Sequence, residues 1–81
     1  MKYRSRIDIM AIILESARIG ISKTKIMYEA YLSYEQAQNY LRFLQEKDLL
    51  YYERGTRRYR TTENGLKFLN ASHRLDDLTT E

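Results

Sequence analysis

Two stretches of helical pattern, KTKIMYEAY and YEQAQNYLRFLQEKD, are separated by so little chain that the second must begin almost where the first ends. Counting Tyr31, Leu32 and Ser33, the connection is a turn of about three residues. Such a link holds the two helices in one tight unit, each with an apolar face to bury. In the first, Ile26, Met27 and Ala30 form the inward set; in the second, Ala37, Leu41 and Leu44 share a face flanked by Tyr40. Ser22 and Ser33 stand where each helix needs a side-chain acceptor for its first free amides.

The other elements are read from the same signals. Ser5 and Asp8 have the spacing of a capping box and open a helix over RIDIMAIILESAR, with Ile7, Met10, Ile13, Leu14 and Ala17 inward. Gly20 stops it, and Ile21 stands alone as a stub of strand. LLYYER and RRYRT are strand-forming segments around Gly55 and Thr56 and read as a hairpin, with Leu50, Tyr52 and Tyr59 inward. Thr62 caps a last helix, ENGLKFLNASHRLDDL, whose Leu66 and Leu69 are expected in the core. Gly65 in its first turn carries a helical penalty, and close approach of a neighbouring backbone would explain it. The expectation is one α+β domain over residues 1–81: three helices, a two-stranded hairpin and a C-terminal helix, with residues 73–81 as the helix end and a polar tail.

Composition narrows the function. At 81 residues the chain is near the lower limit for a self-sufficient core, so burial against a partner chain is a natural supplement. With no cysteine there is neither a disulfide nor a thiolate metal site. No nucleophile stands with a base and no metal-ligand spacing appears; no enzyme, cofactor or metal is expected. His73 lacks a second ligand at helical spacing and reads as a packing or surface residue at a partly buried position. No apolar run approaches the ~20 residues of a membrane span. No signal-peptide pattern opens the chain: Met1–Arg6 is basic, but Asp8 and Glu15 interrupt the apolar segment after it. A cytoplasmic, chromosome-associated protein is the expectation.

The net charge of +3 is mild, but its distribution is uneven. Arg54, Arg57, Arg58 and Arg60 fall within seven residues that contain no acid. Exposed charges also protect a strand edge, yet lysine or mixed signs would do that equally well. An all-arginine hairpin suits phosphate or a narrow minor groove, with Arg54, Arg57 and Arg58 as the contacts. The outward set of the third helix (about 34–47) is Tyr34, Glu35, Gln38, Asn39 and Arg42, with Ser33 at its start. Its amides can pair with adenine, Arg42 with guanine and Glu35 with cytosine. The same residues would also serve a helix that faces only water. Lys23 and Lys25 are candidates for backbone phosphates, Tyr51 for a further DNA contact, and Lys2, Arg4 and Arg6 for an N-terminal arm.

These stretches resemble a known family. KTKIMYEAYLSYEQAQNYLRFL, then DLL, then YRTTENGLKFL are similar to the archaeal winged-helix family that includes ArnR-like regulators and the small chromatin-associated 10a proteins of Sulfolobus. The similarity covers roughly residues 5–72. It implies a winged helix-turn-helix that binds double-stranded DNA, often as a dimer joined through the last helix. The 10a type carries a longer last helix than this chain supplies. From the residues themselves, Phe68, Ala71, Leu75 and Leu78 follow a 3-4-3 spacing, two heptads of a coiled-coil seam, and Ile12 projects off the main apolar face of the first helix. A homodimer through these residues is the preferred reading. The functional expectation is a transcription regulator with its third helix in the major groove and its hairpin (53–60) on the backbone or minor groove. An architectural chromatin protein with little sequence preference, or a protein-interaction module, are the alternatives.

Overall fold

The computed structural model describes residues 5–79, with side chains through Arg74. Helix α1 (Arg6–Ser16) runs into a 3₁₀ turn (Ala17–Ile19); α2 (Lys23–Ala30) and α3 (Tyr34–Glu46) come next, then strands β1 (Leu50–Glu53) and β2 (Arg58–Thr61), and α4 (Glu63–Thr79). Each expected cap is in place. Ser5 and Asp8 form a reciprocal capping box, Ser22 accepts from the Lys25 amide, and Ser33 and Gln36 form a second box. Thr62 accepts from the Gly65 amide at 3.0 Å.

The short link between α2 and α3 depends on a left-handed residue. Tyr31 closes α2 at φ 54°, and the Leu32 amide returns to the Met27 carbonyl at 2.9 Å. A side chain in this region is costly, so the turn is held by what surrounds it. Leu32 is buried and provides the inducement, while Tyr31 itself points outward. Asp48 repeats the device after α3 at φ 60°.

The core is built from Ile13, Leu14 and Ala17 of the first helical segment, Ile26 and Ala30 of α2, and Ala37, Leu41 and Leu44 of α3, closed by Leu50 and Leu69. Three expected inward residues are outside it: Ile7 is 47% exposed, and Leu66 and Tyr52 41% each. Apolar residues surround α1 on nearly every side, so periodicity cannot choose a face; Ile9, Ala11 and Ile12 take the half-buried places instead. In α4 the buried stripe runs through Gly65, Phe68 and Leu69, which turns Leu66 out.

The two strands are antiparallel in the register Leu50↔Thr61, Tyr51↔Arg60, Tyr52↔Tyr59, Glu53↔Arg58. Leu50, Tyr52 and Tyr59 therefore share one face, as expected, while Tyr51, Glu53, Arg58 and Arg60 share the other. Ile21 adds a third strand of one residue, exchanging bonds of 3.0 and 2.8 Å with Tyr59. At the tip, Glu53 accepts from the Thr56 hydroxyl (2.8 Å) and from Arg60 Nε (3.2 Å). The Thr56 bond first, and Arg60 second, hold its carboxyl below the usual range.

This architecture carries two expectations. A Cβ on Gly65 would collide with the Leu49 carbonyl oxygen and the Thr61 methyl. Alanine in a helix normally gains over glycine by roughly 1 kcal/mol. Here Gly65→Ala should instead cost about 1–3 kcal/mol by overpacking. That is roughly 4–8 °C in Tm per kcal/mol for a domain of this size, and an unchanged or raised Tm would refute the steric account. For Glu53, a lowered folded pKa means stability that is complete above the unfolded pKa and lost as pH falls through the folded value. Glu53→Gln should therefore reduce amide-exchange protection of the hairpin at neutral pH, with wild type and variant converging in acid.

Candidate nucleic-acid interface

The middle and C-terminal turns of α3 and the hairpin border a common cleft. Gln38, Leu41, Arg42, Gln45 and Glu46 line one wall and Tyr59 stands on the other. Tyr59 and Tyr52 stack at 4.9 Å between centroids with a tilt of 52°. Burial, then the neighbouring Tyr52 and Tyr34, push the Tyr59 phenol up. Tyr52 and Tyr59 thus stand together where the hairpin meets α3. Strand alternation assigns Tyr52 and Tyr59 to packing alone; their position beside the α3 face depends on a helix–hairpin contact that no local pattern encodes. Tyr51, expected at DNA together with Tyr34, lies on the opposite face of the hairpin from Tyr59.

The expected site residues fall into groups. Tyr34, Glu35, Asn39 and Arg42 are exposed on α3 and Gln38 is half-buried. The Ser33 hydroxyl is engaged as the cap of α3, accepting from the Gln36 amide at 3.1 Å. Lys23 reaches across from α2, donating to Gln38 Oε1 and standing 3.8 Å from the centre of the Tyr34 ring. Lys25 lies in a second cleft, formed with Ser16, Gly20, Ser22 and Glu29, where Arg58 faces it from β2. Gly20, whose φ of 96° favours glycine, lies under Arg58 and Arg60; their nearest atoms stand 3.5–3.6 Å from where a Cβ would be, an ordinary contact distance.

The arginine run divides into two parts. Arg60 is bound to Glu53, an acid just outside the run on the partner strand. Arg54, Arg57 and Arg58 are exposed and form no ion pair with another described residue. Arg57 turns the tip at φ 58°. Arg6 is not part of an arm: in the first turn of α1, its guanidinium lies 5.5 Å from both the Tyr40 and Phe43 rings. Lys2 and Arg4 lie outside the described residues.

Of the residues expected at a dimer face, Ile12 and Phe68 are half-buried against the core of their own chain, and Ala71 is exposed. The side chains of Leu75 and Leu78 lie outside the described residues. His73 is exposed rather than partly buried, because it falls off the buried stripe of α4. Among the described residues no group of acids and histidine is arranged to hold a metal, and no helix is long and apolar enough to cross a membrane.

Comparison with known proteins agrees with the geometry. No individual curated protein matches the chain. The winged helix-turn-helix family matches it over residues 3–80, nearly its whole length. In that family's terms, α2 and α3 form the helix-turn-helix and the hairpin is the wing. The chain belongs to the winged helix-turn-helix family, which is typically non-catalytic and whose membership suggests DNA as the partner.

Proposed function

We propose that the protein is a transcription regulator that binds double-stranded DNA, with α3 in the major groove and the wing on the backbone or in the minor groove. The observation that carries this reading is the uneven treatment of the wing arginines. Glu53 neutralises Arg60, while Arg54, Arg57 and Arg58 remain exposed with no acid among the described residues bound to them. Free guanidinium groups of one sign at a hairpin tip suit a row of phosphates or a narrow minor groove. Lys25 and Arg58 across the second cleft extend the basic surface to the start of α2. Gln38, Asn39 and Arg42 on α3 offer hydrogen-bonding groups suited to base edges and not only to phosphate. That chemistry favours a sequence-reading regulator over an architectural protein, and it accords with the archaeal regulators that the sequence resembles.

The proposal includes a homodimer joined through α1 and α4. Its support is the 3-4-3 spacing of Phe68, Ala71, Leu75 and Leu78 on one face of α4, separate from that of Leu66 and Leu69.

Replacing Arg54, Arg57 and Arg58 by alanine should weaken duplex binding while leaving the circular dichroism unchanged. If all three meet phosphates, the log–log salt slope should fall by roughly 2.7, about 0.9 per contact. Unaltered affinity and slope would reject the wing as a DNA contact. For the dimer, Leu75→Glu with Leu78→Glu should move the sedimenting mass to that of a monomer and keep the helical signal. A wild-type chain that is already monomeric at high concentration would eliminate the dimer.

A further inference from the structure

Both carboxamides on the outward side of α3 have their oxygens turned to a cation. Lys23, the first residue of α2, donates from Nζ to Oε1 of Gln38. The same ammonium is held over the Tyr34 ring, so it has two partners on α3. An ammonium has three donors and no acceptor, so the Gln38 group that meets it must be the carbonyl oxygen. One turn on, Arg42 Nη1 faces Asn39 Oδ1 at 3.5 Å, a longer and more exposed form of the same arrangement. Guanidinium is likewise a donor only. In both cases the NH₂ of the amide is the group left for whatever lies against the helix.

An unencumbered glutamine pairs with adenine by giving an N–H to N7 and taking the N6 amino proton on its own oxygen. That second bond is disfavoured here. An amino group reaching Gln38 Oε1 would come to rest beside the Lys23 ammonium, donor against donor. The second lone pair of the oxygen does not relieve this, because the cation stays at the same atom. A keto oxygen at that place meets only donors. Guanine offers N7 and O6 as adjacent acceptors, and thymine offers O4.

We propose that Lys23 is a positioning residue that makes Gln38 a donor-only reader, so that α3 selects guanine or thymine over adenine at the base opposite Gln38. The inference rests on the reading of α3 as the groove-facing helix. It differs from what residue types alone suggest, which is adenine.

Selection of the full-length chain on a random duplex pool tests it, with wild type, Gln38→Ala, Lys23→Met and Lys23→Arg in parallel. Gln38→Ala identifies the position by relaxing the preference there. Wild type and Lys23→Arg should both show guanine or thymine at that position. Lys23→Met keeps the aliphatic stem without the donor and should raise the share of adenine by about tenfold, the scale of one good base contact. Adenine at that position in wild type overturns the inference, whatever the folding of the variants. So does a Lys23→Met motif identical to that of wild type, or a motif that Gln38→Ala leaves intact; in these cases α3 still reads DNA. A wild-type pool without any motif removes the groove-reading proposal itself, and the inference falls with it.

Discussion

The position of the wing relative to α3 depends on one backbone junction. The chain leaves α3 at Asp48 and Leu49, makes the whole hairpin, and returns to the same place at Thr62. There the Thr62 amide bonds to the Leu49 carbonyl at 3.1 Å and the Thr62 hydroxyl to the Asp48 carbonyl at 2.7 Å. Asn64 adds a bond to the Asp48 carboxylate at 2.9 Å. Gly65 then brings the first turn of α4 against Leu49, closer than any side chain would allow. Contacts between main-chain atoms do not adapt by changing rotamers, so the base of the wing has one place to be. Thr61 fixes the inner end as well, donating to the Leu14 carbonyl at 2.5 Å.

Around that junction, the described polar side chains sort into engaged and free sets. No buried side-chain nitrogen or oxygen lacks a partner among the described residues. Ser5, Ser22, Ser33 and Thr62 are engaged at helix starts, Arg60 at Glu53, Arg6 over two aromatic rings and Lys23 across to α3. Five cations on the α3 and wing side, Lys25, Arg42, Arg54, Arg57 and Arg58, stand without an ion pair to a described residue. Donors predominate on this surface, with Glu29, Glu35 and Glu46 as exceptions. Such a surface is complementary to phosphate and to the acceptor edges of bases.

Much of this is legible in the sequence because it is local chemistry. Serine and threonine caps, the three-residue link, the lone Ile21 and the hairpin around Gly55 each obey short-range rules, and the structure agrees with them. Even the penalty of Gly65 points to a close backbone, although not to Leu49 in particular. The misreadings are of another kind. Periodicity sends Ile7 to the core, yet α1 is apolar on several sides and periodicity alone cannot orient such a helix. It sends Leu66 there too, but the buried glycine shifts the stripe of α4 by one residue. Tyr31 and Asp48 adopt left-handed conformations that sequence rules look for at glycine. At the candidate site, the residue types on α3 are readable, but the state of their hydrogen-bonding groups is not. The Lys23–Gln38 contact spans fifteen positions, and no spacing rule links them.

The single bridge between Ile21 and Tyr59 has a mechanical consequence. It makes Tyr59 a fulcrum: below it β2 is clamped by Thr61 and by the junction with α4, and above it the hairpin is a cantilever only a few residues long. The lever carries Arg54 and Arg57 at its tip and Arg58 beside the pivot, and its stiffness comes from the Tyr52–Tyr59 stack and the ties from Glu53 to Thr56 and Arg60. A rotation about that pivot would move the tip guanidinium groups without requiring α3 to move.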